Sequence, residues 1–537
     1  MESYAAGDTT PPLLEETIGA AFERIVAAHR DREAMVEVAT GKRWTWSELD
    51  GDVDAVARGL LAMGVDQGDR VGIWAPNCAE WTIAQLATAK IGAILVNVNP
   101  AYRTHELAYA VNQSGMRFLL AATRFKTSDY AAMVEQVRPQ CPTLERVVYI
   151  DGPDWKRLLA EGEEVPLSAV RERMAGLDPY DPINIQYTSG TTGYPKGATL
   201  SHRNILNNGF FVTETIGLTA EDRLCIPVPF YHCFGMVMAN LGCVTHGATM
   251  VIPGQAFDPA TTLRAVQDER CTVVYGVPTM FIAMQSHPDF TSFDLASLRS
   301  GIMAGSICPV EVMKRCINEM NMAGASIAYG MTETSPVSCQ TRADDDLDRR
   351  TATIGRAAPH VEIKIVDPVT GETVPRGEPG EFCTRGYSVM LGYWDDPEKT
   401  AEAIDDEGWM HTGDLATMRE DGYCVIVGRI KDMVIRGGEN IYPREIEEFL
   451  YTHPDIEDVQ VVGVPDEKYG EELCAWVRMR AGAEPLDAEK VRAFATGKLA
   501  HYKIPRYVLV VEDFPMTVTG KIRKAEMRER SAEVLGL

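Results

Sequence analysis

Residues 188–197 read T-S-G-T-T-G-Y-P-K-G and follow directly on the apolar-leaning run Ile183–Tyr187. The run has the length and texture of a strand, so the ten residues are the loop that leaves it. Glycines let backbone N–H groups come close to an anion, Ser and Thr hydroxyls add donors, and Lys196 adds a compact positive charge. Such a loop suits phosphate. Its spacing is not G-x-x-x-x-G-K-[ST], which cannot be laid on Gly190 or Gly193, and a P-loop kinase or GTPase is therefore excluded. Taken alone, the stretch also reads as a flexible Gly/Thr linker, and the rest of the chain decides between the two.

With 537 residues the chain exceeds the usual size of one core, so at least two domains are expected. A hydrophobic share of 45% beside 24% charged residues is that of an ordinary globular protein. The net charge of −25 argues against a general nucleic-acid binder. A polyphosphate must then be held by local cations against an unfavourable mean field. Lys196, Arg429, Lys431, Arg436, Lys503, Arg506, Lys521 and Arg523 are the candidates. Twelve scattered cysteines without a C-x-x-C pair read as reduced thiols, and no zinc set is expected. The start M-E-S-Y-A-A-G-D lacks a basic region followed by an apolar core, and no uncharged apolar run reaches about 18 residues. A cytoplasmic location without a transmembrane segment is expected.

Working outward, Ile18–His29 has apolar residues at helical spacing. In R-W-T-W-S-E-L-D, Trp44 and Trp46 alternate as in a strand, both as core residues, with Ser47 as cap of the next helix. From Arg70 the pattern is V-G-I-W, a helix over Ala79–Ile91, then A-I-L-V-N-V-N; H-E-L-A-Y-A-V and M-R-F-L-L-A-A repeat the helix and strand. A second such block runs from about Leu224 to Tyr329, with a helix over Ala260–Glu269, and the alternation implies parallel strands with crossover helices. From His360 to about Gly386 short alternating strands separated by D-P-V-T-G and R-G-E-P-G indicate an antiparallel piece. Beyond Gly428 a small α+β unit is expected: a helix from Pro443, strands V-Q-V-V-G-V and L-C-A-W-V-R-M, a helix over Ala488–Leu499 and a strand over Tyr507–Glu512. The best cut falls at about Ile430.

The loop at 188–197 resembles the phosphate loop of the adenylate-forming superfamily of acyl-CoA synthetases, firefly-type luciferases and peptide-synthetase adenylation domains. Y-G-M-T-E at 329–333, T-G-D at 412–414, G-R-I-K-D at 428–432, G-G-E-N-I-Y-P-R-E-I-E from Gly437 and G-K-I-R at 520–523 follow in that superfamily's order. The resemblance implies an α/β fold: a large N-terminal domain of βα-layered sheets with an antiparallel piece over 1–430, and a small mobile α+β domain over 431–537, hinged at Lys431. It implies that ATP is bound by Thr188, Ser189, Gly190, Thr191, Thr192, Gly193 and Lys196, by Tyr329, Gly330 and Thr332, and by Asp414 and Arg429 on the ribose. Glu333 becomes the Mg²⁺ ligand and Lys521 the catalytic cation on the α-phosphate, with Lys196, Thr332 and Glu333 also catalytic. Read alone, Glu333 is an exposed helix-start glutamate and Lys521 a solvated lysine near a C-terminus.

R-G-Y-S-V-M-L-G-Y-W and G-Y-P-K-G-A-T-L-S-H bring the chain close to the medium-chain and fatty acyl-CoA synthetases grouped with acyl-CoA synthetase family member 2. An AMP-forming ligase joining a fatty acid to coenzyme A is expected. The alternative is a stand-alone acyl-AMP ligase that loads a separate carrier protein; only 14 residues follow Arg523, so no attached carrier is expected. Gly276, Val277, Met303, Ala304 and Gly305 are expected to line a narrow apolar channel. Gly437 and Gly438 would let backbone pass close to the pantetheine. His232 in P-F-Y-H-C-F-G is either structural or, as the resemblance implies, a gate of the acyl site. Gly324–Ala328 lacks the second glycine of the hydrolase elbow, which removes a serine hydrolase. The partners expected are a carboxylic acid, ATP and coenzyme A, with homodimerisation open.

Overall fold

The computed structural model describes residues 1–537 other than 189–194, 307, 438 and 517–521. The chain falls into two compact units. One comprises Tyr4–Ile363 and Cys383–His411, the other Met1–Ser3, Lys364–Phe382 and Thr412–Leu537. The smaller unit thus takes in residues 364–382 and 412–430 as well as the segment that follows the cut expected at about Ile430.

The larger unit contains two sheets built from the two alternating blocks. The first has seven strands in the order Gly392–Tyr393, Lys196–Ser201, Pro182–Thr188, Ile94–Asn97, Arg70–Trp74, Phe118–Ala121, Arg146–Tyr149. Its last five strands run parallel, and Lys196–Ser201 pairs antiparallel with both of its neighbours. The second has nine strands: Arg356–Ala357, Val337–Gln340, Gly324–Gly330, Ser300–Ala304, Val273–Gly276, Arg223–Cys225, Thr249–Ile252, Glu33–Glu37, Lys42–Thr45. Its central strands are parallel. Helices Ile18–His29 and Ala79–Ile91 form where their periodicity predicts. Ala79–Ile91 is buried almost all round, and its polar members are paired: Thr88 donates to the Ala84 carbonyl at 2.8 Å, and Lys90 Nζ reaches Asp50 at 2.7 Å and Asp54 at 2.6 Å. The antiparallel piece is present as strands Val361–Val366, Gly380–Gly386, Met410–Met418 and Cys424–Arg429.

One helix starts earlier than its sequence suggests. Trp46 is its first residue, and Thr45 rather than Ser47 caps it. The reason is a capping box: the Glu48 N–H donates to Thr45 Oγ1 at 3.2 Å, and the Thr45 N–H donates to the Glu48 carboxylate at 2.8 Å. Trp46 is fully buried, whereas Trp44 is half-buried with its indole N–H on Asp52 at 2.8 Å. A further feature is a π-helix over Phe234–Leu241, which begins within the last two residues of the P-F-Y-H-C-F-G segment. Such wide turns release backbone groups, and Gln85 Nε2 meets one of them, the Met236 carbonyl, at 3.0 Å.

The smaller unit carries a sheet ordered Glu439–Ile441, Val434–Arg436, Gly470–Met479, Ile456–Asp466, with Tyr507–Val510 parallel to Gly470–Met479. Helix Pro443–Leu450 buries Ile446 and Leu450 against it, as the spacing predicts. Helix Lys524–Leu535 is tied on by Lys524, whose Nζ donates to Glu447 Oε1 at 2.6 Å, and by Ser531, which accepts from the Trp476 indole at 2.7 Å. Among the described residues no helix is long and apolar enough to cross a membrane.

His202 follows the strand that Lys196 opens, is fully buried, and takes the Ile18 N–H on Nδ1 at 3.2 Å. Burial pushes its imidazole down to about 3 from 6.5. Below pH 6.5 the unfolded chain therefore takes up a proton that the folded chain refuses until about pH 3, and stability falls on acidification through that window. The slope is up to about 1.4 kcal/mol per pH unit. His202→Asn, which keeps an acceptor near the Nδ1 position, is expected to flatten the fall in melting temperature between about pH 6.5 and pH 5. A slope equal to the parent's would show that other groups carry it.

Candidate active site

The strands Pro182–Thr188 and Lys196–Ser201 pair so that Thr188 stands opposite Lys196. Thr188 Oγ1 donates to the Lys196 carbonyl at 3.5 Å. The two ends of the glycine-rich loop are thus side by side, which is the geometry a phosphate cradle needs. The hairpin owes its closeness to Gly197, where a Cβ would come within 2.9 Å of Ile185 Cγ2. Ser189, Gly190, Thr191, Thr192 and Gly193 lie outside the described residues.

In the nine-stranded sheet three consecutive parallel strands end together: Val273–Gly276, Ser300–Ala304 and Gly324–Gly330. Gly276, Gly305 and the Tyr329–Gly330 pair sit at or just past these carboxyl ends, the place where open α/β sheets bind ligands. A Cβ on Gly330 would stand 1.7 Å from the Pro336 carbonyl oxygen, so only glycine fits there. Gly305 adopts φ +90°, a backbone region that favours glycine, with Val277 Cγ1 3.3 Å from where its Cβ would be. Ala304 packs into the same core cluster as Tyr275 and Phe234, with Val277 against it. Met303 does not. The strand pleat turns it to the opposite sheet face among Phe281, Met284 and Cys308, so it leaves the set of expected channel-lining residues.

From Gly330 the chain turns through Thr332–Thr334, and this carries Glu333 inward. Glu333 is only 5% exposed, not the solvated helix-start residue of its isolated reading. Its Oε1 accepts from the Tyr393 hydroxyl at 2.8 Å, and its backbone carbonyl accepts from the Met390 N–H at 2.9 Å. Tyr393 is itself buried, and burial, followed by the neighbouring Glu333 charge, raises its phenol well above the usual range. The same ring carries the Lys196 ammonium over its face, 4.6 Å from the centroid. Sequence reasoning did not single out Tyr393; the motif R-G-Y-S-V-M-L-G-Y-W that contains it served only the comparison with acyl-CoA synthetases.

Cys233 adjoins this cluster. Its thiol donates to Gln186 Oε1 at 3.1 Å, and burial together with the Glu333 charge pushes it far up, which makes it inert. His232 Nδ1 accepts the Phe234 N–H at 3.2 Å, and its ring stands edge-on to Tyr231. This local bond puts the proton of a neutral His232 on Nε2.

In the smaller unit Asp414 and Arg429 are register partners on Met410–Met418 and Cys424–Arg429. Arg429 Nε lies 3.2 Å from Asp414 Oδ1, with Arg429 47% and Asp414 16% exposed. Thr412 Oγ1 accepts the Asp414 N–H at 3.2 Å and orders the T-G-D turn, in which Gly413 takes φ +70°. The Lys431 carbonyl accepts from Arg528 Nη2 at 2.7 Å. Gly437, at φ +61°, donates its N–H to the Tyr469 carbonyl at 2.8 Å. Gly438 and Lys521 lie outside the described residues. Of the cations counted as candidates for a polyphosphate, Arg436, Lys503, Arg506 and Arg523 are engaged by Glu472, Glu445, Asp466 and Glu526. Among the described residues Lys196 forms no ion pair.

The AMP-binding enzyme family matches residues 22–394, and its C-terminal domain matches residues 445–521. A putative acyl-CoA synthetase of Bacillus subtilis, YngI, is 49% identical, covering 98% of this chain and 99% of its own. The human mitochondrial medium-chain acyl-CoA ligase ACSF2 is 42% identical over 100% of this chain and 91% of its own length. Among solved structures, ATP-bound MatB from Rhodopseudomonas palustris superposes with a TM-score of 0.84 at 30% identity, covering 96% of this chain and 99% of its own. The anthranilate CoA ligase AuaEII in complex with anthranoyl-AMP also gives 0.84, at 26% identity with full coverage of both chains. The chain therefore belongs to the AMP-binding enzymes of the adenylate-forming superfamily, and within them to the acyl-CoA synthetases.

Proposed function

We propose that this enzyme activates a medium-chain fatty acid with ATP, forming acyl-AMP and pyrophosphate, and then transfers the acyl group to the thiol of coenzyme A. The observation that carries the reading is the gathering of a phosphate-type hairpin end, Lys196 and a buried carboxylate, Glu333, around one tyrosine. The names of the relatives, a medium-chain acyl-CoA ligase among them, support the substrate class. A carboxylate is a poor electrophile, and its adenylate has a good leaving group. The adenylation step needs positioned charge and no protein nucleophile.

In this reading Thr188, Lys196 and the loop between them hold the β- and γ-phosphates. Tyr329 stacks on adenine, Thr332 bonds the α-phosphate, and Asp414, kept in place by Arg429, accepts the ribose hydroxyls. Glu333 fits Mg²⁺: it offers a hard carboxylate oxygen, and among the described residues Oε2 takes no hydrogen bond while Oε1 is held by Tyr393. Mg²⁺ bound there would offset part of the triphosphate charge. The acyl chain would pass Gly276, Val277 and Gly305, with His232 at its side. Lys521 would serve adenylation and the Gly437–Gly438 turn thioester formation, presented alternately by rotation of residues 431–537 about Lys431.

Pyrophosphate release across a panel of acids, with and without coenzyme A or a carrier protein, tests the reading as a whole. Activity should rise along straight-chain acids from acetate to at least about octanoate, each buried methylene adding roughly 0.8 kcal/mol. Acetate or an amino acid as best substrate would remove the apolar channel, and transfer to a carrier protein alone would remove coenzyme A as acceptor. Asp414→Ala should cost on the order of 3 kcal/mol of ATP binding, read as a raised KM for ATP with the melting temperature kept. An unchanged KM would sink the ribose assignment. Lys521→Ala should slow adenylation roughly 100-fold while sparing thioester formation from supplied acyl-AMP, and Gly438→Leu or Lys431→Pro should do the reverse. Equal damage to both half-reactions in Lys521→Ala would contradict the alternation.

A further inference from the structure

Tyr393 joins two groups that the proposed function uses separately. Its hydroxyl donates to Glu333 Oε1 at 2.8 Å while its ring face lies under the Lys196 ammonium, 4.6 Å away. Lys196 and Glu333 carry opposite charges around the same ring, yet they form no ion pair with each other. A direct pair in so enclosed a place would occupy the metal-facing carboxylate and the phosphate-facing cation at once, and nucleotide binding would have to break it.

The tyrosine is fixed from several sides. Tyr393 stands opposite Ala198 in the sheet, the Trp394 N–H donates to the Gly197 carbonyl at 2.7 Å, and the Leu391 N–H donates to the Thr199 carbonyl at 2.9 Å. The Tyr393 N–H donates to Thr400 Oγ1 at 2.9 Å, and the Met390 N–H bonds the Glu333 carbonyl. One short segment is thereby stitched both to the strand that begins at Lys196 and to the Y-G-M-T-E turn. The hydroxyl donates this bond, since a carboxylate oxygen accepts.

We propose that Tyr393 is a positioning residue that keeps Lys196 and Glu333 apart and pre-aimed: its hydroxyl takes up Oε1 so that Oε2 alone faces the metal, and its ring gives the lysine an uncharged seat until phosphate arrives. The proposal rests on the reading of Glu333 as the Mg²⁺ ligand. It separates a tyrosine that merely fills space from one that sets metal affinity, because only the second changes when a single oxygen is removed.

Mn²⁺ binding tests it, measured by electron paramagnetic resonance on the full-length enzyme with an ATP analogue whose α,β-bridging oxygen is a methylene. Loss of the charge-assisted bond in Tyr393→Phe should weaken Mn²⁺ binding about tenfold and raise the Mg²⁺ needed for half-maximal pyrophosphate release by a similar factor. Tyr393→His, which keeps a ring and a donor, should stay within about threefold of the parent, whereas Tyr393→Leu, which keeps apolar bulk without a donor, should weaken Mn²⁺ binding as Tyr393→Phe does and carries the test should the Phe variant fail to fold. Glu333→Gln in the same assay separates the two readings. Weak Mn²⁺ binding in Glu333→Gln beside parental binding in Tyr393→Phe would overturn the role of Tyr393 and leave that of Glu333. Parental binding in both would overturn both. A double variant no weaker than Glu333→Gln alone is the expected mark of one shared path, and simple additivity would argue against it.

Discussion

Placing one carboxylate out of water governs the larger unit. Burying an unpaired charge costs several kcal/mol, so a chain that sinks Glu333 to near-complete burial must supply a donor and a rigid frame around it. The donor is a tyrosine rather than a lysine or arginine, which offsets the desolvation in part without neutralising the charge. That leaves a carboxylate still able to attract a cation. The frame is the close approach at Gly330, where backbone replaces side chain, together with the Met390 N–H on the Glu333 carbonyl.

The acidic mean field gives the same logic a wider setting. At a net charge of −25, loose surface cations would do little for a triphosphate, and Arg436, Lys503, Arg506 and Arg523 are indeed taken by carboxylates. Lys196 differs because its neighbour is an aromatic face. A cation held over a π ring gives up far less to bind phosphate than one held in an ion pair.

What the sequence made legible follows from what is local. Helices such as Ile18–His29 and Ala79–Ile91 and the parallel strands stood out because periodicity and β-branched runs are properties of a few consecutive residues. At the glycine-rich loop only the strand before it, Ile183–Tyr187, was legible; its antiparallel partner Lys196–Ser201 was not, because that pairing depends on the fold around it. The direction of Met303 was not legible: the pleat that faces it away from Ala304 depends on the register of a strand among partners distant in sequence. Nor was the cap at Thr45, where the Glu48 partner three residues on outweighs the serine that looks equally suitable.

Tyr393 shows why the remainder was hidden. It lies 60 residues beyond Glu333 and 197 beyond Lys196, so no spacing rule links the three, and an aromatic after Gly392 reads by itself as core. The link exists only because the two-residue strand Gly392–Tyr393 adds to the edge of the seven-stranded sheet beside Lys196–Ser201. The strand is short, but both of its residues are buried and Tyr393 belongs to the main core cluster. Its further contribution is to bring one ring and one hydroxyl to the place where the Lys196 end of the hairpin and the Glu333 carboxylate meet, so one buried side chain both packs the core and links the two groups.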